Sequence, residues 1–169
     1  MNGKNYDSGK ENEHNSWDIM EKKGFYRPKT EKKSKERANI AMAYSMLGKN
    51  IEPRGFDLVD IKYKAALDDP NKISALILEG KFVLYELKTA GAGRRTPLKE
   101  NFNGLGFTLT ENEKHNHSVL GDDGYKFIFL DLKTNECICV NYLDWHANCR
   151  IYATWSVFVN KEILSGVSL

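Results

Sequence analysis

A carboxylate and an ammonium two residues apart, Glu86 and Lys88, close an otherwise apolar run, Lys81–Thr89 (KFVLYELKT). In an extended segment alternate residues share a face, so Phe82, Leu84, Glu86 and Lys88 line one side and Val83, Tyr85 and Leu87 the other. Both sides begin apolar, the pattern of a strand covered on both faces. Charges at the end of such a strand are costly to bury unpaired, so Glu86 and Lys88 need each other or a metal ion as partner. The run leads into Ala90-Gly91-Ala92-Gly93-Arg94-Arg95-Thr96-Pro97-Leu98-Lys99. Its small residues allow close backbone approach, and the forked donors of arginine suit phosphate. Beside Glu86 and Lys88, the cations Arg94, Arg95 and Lys99 make a candidate phosphodiester site.

A divalent cation such as Mg²⁺ is held by hard oxygens, usually including one or two carboxylates. Two places offer the second acid. One is Asp57 in Gly55-Phe56-Asp57, at the start of an apolar run; the other is Asp69 in Asp68-Asp69-Pro70. Asp57 is preferred for its strand-like setting, since Asp-Asp-Pro-Asn is ordinary turn chemistry. Asp60, three residues on, points to the opposite face of a regular strand.

Elements to position these groups are legible. KSKERANIAMAYSMLG carries Ala38, Ile40, Ala41, Ala43, Tyr44 and Leu47 at near-helical spacing, and Gly48 supplies a stop. Strands are expected at Phe56–Ile61, Ile73–Leu78, Lys81–Thr89, Lys126–Leu132, Cys137–Leu143 and Ile151–Val159, all rich in β-branched and aromatic residues and separated by turn signals. Thr110-Glu111-Asn112-Glu113 has capping-box spacing and opens a helix to about Leu120; Glu113 is read as half of that box rather than as a catalyst. The order predicts an α/β (α+β) domain around a mixed sheet.

Here the residues resemble the PD-(D/E)XK nuclease superfamily of restriction endonucleases and resolvases. The likeness runs over about residues 36–132: Glu36 in the first helix, Gly-Phe-Asp at 55–57, Glu-Leu-Lys at 86–88, then Phe107-Thr108-Leu109-Thr110-x-x-Glu113, Gly121-Asp122 and a strand from Tyr125. Between Asp57 and Glu86 lie 28 residues, long for this motif, which keeps Asp69 as the alternative acid. The resemblance implies a restriction-endonuclease-like mixed central sheet flanked by helices. It also implies a Mg²⁺-dependent endodeoxyribonuclease acting on double-stranded DNA. Asp57, Glu86 and the Leu87 carbonyl would hold Mg²⁺, Lys88 would orient water, and Glu36 would join through a water. Arg94, Arg95 and Lys99 would hold flanking phosphates, and a homodimer cutting one strand per copy is compatible with that activity. The competing readings are a non-catalytic nucleic-acid-binding domain of the same fold and a zinc-stabilised interaction module.

The zinc reading rests on Cys137, Cys139, His146 and Cys149, whose Cys-x-Cys-x6-His-x2-Cys spacing matches no usual finger or ribbon. His115 and His117 lie two apart on the capped helix and so on different faces, and Trp145 and Trp155 are expected in the core.

The chain's 169 residues suit one domain, and their net charge of +2 neither demands nor excludes nucleic acid. Residues 1–37 hold ten Lys/Arg and seven Asp/Glu (+3), leaving 15 and 16 (−1) for the rest. Residues 1–30 therefore read as a mobile, mildly basic arm with at most a helical turn near Trp17–Met20, and 31–169 as the domain. No apolar run is long enough for a membrane span or a signal peptide, and three cysteines fit a reducing compartment; the expected location is cytoplasmic.

Overall fold

Periodicity of two and periodicity of 3.6 divide the chain. The computed structural model describes residues 15–29, 35–91 and 107–142. Helical residues 15–22 (α1) are followed by β1 (Phe25–Tyr26), α2 (Glu36–Met46) and β2 (Val59–Asp60). A 3-10 helix (Ile61–Ala66), α3 (Pro70–Leu78) and β3 (Leu84–Ala90) come next, then α4 (Glu111–Gly124), β4 (Tyr125–Asp131) and β5 (Glu136–Val140). β3 and β4 run parallel, with Glu86 opposite Phe127 and Lys88 opposite Phe129, and β4 pairs antiparallel with β5. β1 and β2 form a separate antiparallel pair, and Leu58, just before β2, bridges to Tyr85 of β3. The architecture is mixed α+β.

The two faces of the three-stranded sheet sort cleanly. Leu84, Tyr125, Phe127 and Phe129 join Ile40, Ala43 and Tyr44 of α2, Ile73 of α3 and Leu120 of α4 in the larger core. Leu87, Ile128 and Leu130 face the other way, against Met20, Trp17 and Ile19 of α1. β3 is therefore covered on both faces, as its sequence requires, and Glu86 and Lys88 emerge on the side of the larger core. α2 buries Ile40, Ala43 and Tyr44 and stops where Gly48 turns to a φ of 74°, donating to Ser45 while Lys49 donates back to Tyr44. That left-handed step is free only for glycine.

Three expectations are corrected. Ile73–Leu78 is helical, not a strand: Asp69 caps α3 by accepting from the Asn71 amide, and Pro70 occupies its first turn, where its missing N–H costs nothing. Of Phe56–Ile61 only Val59–Asp60 pairs as a strand, because Asp60 caps the 3-10 helix that follows. Residues 15–29 are no mobile arm, since Met20 is fully buried and β1 pairs with β2. Burying such a side chain contributes about 1.5–3 kcal/mol, enough to hold a short amphipathic segment down. Residues 1–14, the strand expected at Ile151–Val159, Trp145 and Trp155 lie outside the described residues. Among the described residues no helix is long and apolar enough to cross a membrane.

Candidate active site

The bridge between the two sheets brings the first acid to β3. The amides of Asp57 and Leu58 both donate to the Tyr85 carbonyl, at 2.8 and 3.0 Å, so two residues of one segment oppose one of the other. Such a bulge re-aims a side chain. Here the Asp57 carboxylate turns to accept from the Leu87 amide at 3.2 Å, alongside Glu86 and Lys88. In an extended strand a residue's N–H and C=O share an edge, so the Leu87 carbonyl points to the side where Asp57 stands.

Glu86 and Lys88 are 7% and 9% exposed. The Lys88 ammonium donates to Glu86 Oε1 at 3.0 Å and to Glu113 Oε2 at 2.8 Å. Burial first, and the neighbouring Asp57 second, push the Glu86 carboxyl up to about 9, against the pull of Lys88. Asp57 keeps part of its surface open, yet protein atoms surround its carboxyl closely enough that burial raises it too. The Leu87 amide, Arg37, Lys88 and Arg27 draw it back down. Burial works against the Lys88 cation, but Glu86 and Glu113 outweigh it and raise its affinity for the proton. Burial and mutual repulsion thus raise the proton affinity of both carboxyls, the setting in which a nearby cation competes with a proton.

α4 grips the loop that delivers Asp57. Asn116, fully buried, accepts from the Glu52 amide at 2.7 Å and donates to the carbonyls of Glu52 and Gly55, both at 2.9 Å. The Tyr125 hydroxyl donates to the same Gly55 carbonyl at 2.6 Å. From the other side Arg37 donates to the carbonyls of Pro53, Phe56 and Pro28. A Cβ on Gly55 would stand 2.7 Å from both the Asn112 carbonyl oxygen and Asn116 Nδ2, so this close approach needs glycine. Gly55→Ala is expected to cost about 1–3 kcal/mol in denaturant melts; a melt matching wild type would contradict this tight seat of the loop on α4.

Expected site residues divide three ways. Asp57, Glu86, Leu87 and Lys88 come together. Glu36 does not join them: its carboxylate accepts from the Tyr26 hydroxyl and the Lys29 amide, and its neighbour Arg37 faces the Asp57 segment instead. Asp69 is the N-cap of α3, and Asp60 pairs with Lys62. Arg94, Arg95, Lys99, His146 and Cys149 lie outside the described residues. Cys137 is half-buried and Cys139 exposed on β5. His115 meets the Asn50 carbonyl, and His117 pairs with Asp122 at 3.0 Å, so the two diverge. Glu113 is the residue that the sequence concealed. Its capping box forms as expected, but the same carboxylate also reaches Lys88.

Among the described residues no group of three or more His, Cys, Asp or Glu side chains is placed to hold a metal ion. Mg²⁺ does not require one, because it keeps several waters and takes one or two carboxylates together with substrate phosphate. The donor set here, two crowded carboxylates and a backbone carbonyl on one strand edge, fits that demand. No protein-family model, curated protein or solved structure matches the chain.

Proposed function

We propose that this chain is a Mg²⁺-dependent endodeoxyribonuclease of the PD-(D/E)XK kind, with a restriction-endonuclease-like fold, cutting double-stranded DNA. The observation that carries the reading is the Asp57 carboxylate seated on the Leu87 amide, beside Glu86 and Lys88. In this reading Asp57, Glu86 and the Leu87 carbonyl hold the cation. When bound, Mg²⁺ supplies charge stabilisation at the phosphoryl oxygens and a water of lowered pKa. Lys88 donates to the attacking water or a phosphate oxygen, where a preorganised donor is worth most as charge develops. The low exposure of Glu86 and Lys88 strengthens these interactions by excluding solvent.

The test is incubation of the purified protein with supercoiled plasmid in Mg²⁺ and in EDTA. Nicked or linear product in Mg²⁺ alone is expected. DNA retarded in a gel but left intact in Mg²⁺ would replace this reading with a non-catalytic DNA-binding domain.

A further inference from the structure

Lys88 has two carboxylate partners, and the chemistry above uses only one. Glu113 is 5% exposed, sits at the third position of α4 and is itself fixed by the capping box. The oxygen that accepts from the Thr110 amide at 3.2 Å, Oε2, is the one that accepts from Lys88 at 2.8 Å. We propose, resting on the nuclease reading, that Glu113 is a positioning residue that holds the Lys88 ammonium in place for the phosphodiester of bound DNA.

The geometry gives it that task. A lysine side chain has about 2 kcal/mol of rotamer freedom, and two buried hydrogen bonds to carboxyl oxygens remove it before substrate arrives. An ammonium has three donors; among the described residues Glu86 and Glu113 accept from two of them, with the Phe107 ring centroid 5.7 Å from the ammonium, so the third can turn to a water or a phosphate oxygen. Were Glu86 to turn its oxygens to a cation, its grip on Lys88 would weaken, and Glu113 would remain as the anchor that shares no ligand duty. α4 thereby fixes both sides of the site, Lys88 through Glu113 and the Asp57 loop through Asn116 one turn on.

A capping role alone would explain the burial of Glu113 without Lys88, and two variants separate the possibilities. Gln closes a capping box as Glu does, so Glu113→Gln keeps the cap and removes the charge. It is expected to lower kcat roughly tenfold or more, with KM for DNA and Tm near wild type, because small misplacements of a catalytic group are costly. Thr110→Ala removes the hydroxyl half of the cap but keeps the amide that donates to Glu113, and is expected to lower Tm with a far smaller loss of kcat than Glu113→Gln. Wild-type kcat in Glu113→Gln would overturn the proposal and leave Glu113 a cap. A wild type that does not cut would sink the nuclease reading. The positioning claim is then decided by spectra of ¹⁵N-lysine-labelled protein. A Lys88 ammonium signal sharp in wild type and averaged in Glu113→Gln upholds it; signals alike in both overturn it.

Discussion

Glu86→Gln is expected to lower Mg²⁺-dependent plasmid cutting on the order of a thousandfold while making the metal-free protein more stable at alkaline pH. The folded state holds the Glu86 proton more tightly than the unfolded chain, first through burial and second through Asp57, with its carboxyl pushed up to about 9. A raised pKa contributes stability that is fully present below the unfolded value, ~4.3, and is lost as pH rises through the folded value. Wild-type stability should therefore carry a falling contribution across that window. Gln, an isostere of the protonated acid, has no such slope, and Lys88 keeps Glu113 as its partner. The two proteins should melt together near the acid end and separate by several degrees near the alkaline end. Equal melting curves throughout would mean that Glu86 is not held in its neutral form.

Asp57→Asn should abolish both cutting and the rise in Tm that Mg²⁺ confers by binding the folded state. Asn can still accept from the Leu87 amide, so the bulge and the loop should survive; what is lost is the charge that the cation needs. Asp69→Asn is the matched control. Asn caps a helix as well as Asp does, and Asp69 has no part in the group around Glu86, so cutting and the Mg²⁺ shift should both persist. A Mg²⁺ shift retained in Asp57→Asn, measured by thermal melts with and without the ion, would remove Asp57 from the cation site.

Elements with strong local signals were legible in the sequence. β3 shows its two-sided cover in the alternation through Leu84–Leu87, and Thr110 and Glu113 announce the start of α4. Ile73–Leu78 reads as a strand in sequence because a six-residue apolar run fits either a buried strand or a helix, and Asp69-Pro70, the deciding signal, also reads as a turn. Residues 15–29 were masked by their polar composition. Their few large side chains, Trp17, Met20, Phe25 and Tyr26, fall where α1 and β1 can bury them, which only the fold reveals. The candidate site was half legible. Glu86 and Lys88 share a strand face by simple alternation, and the strand-like setting of Asp57 favours it over Asp69 as the acid. The bulge that aims Asp57 has no sequence signature, and neither does the reach from Glu113 to Lys88 across 25 positions.

If Asp57 and Glu86 jointly bind a divalent cation in exchange for a proton, metal binding and proton release are linked. Calorimetric titration of Mg²⁺ into the protein near pH 7.5, repeated in buffers of different ionisation enthalpy, measures binding and proton release together. Saturable binding with net proton release is expected in wild type, with loss of binding in both Asp57→Asn and Glu86→Gln. Absence of binding to wild type, or binding unchanged by either substitution, would contradict it.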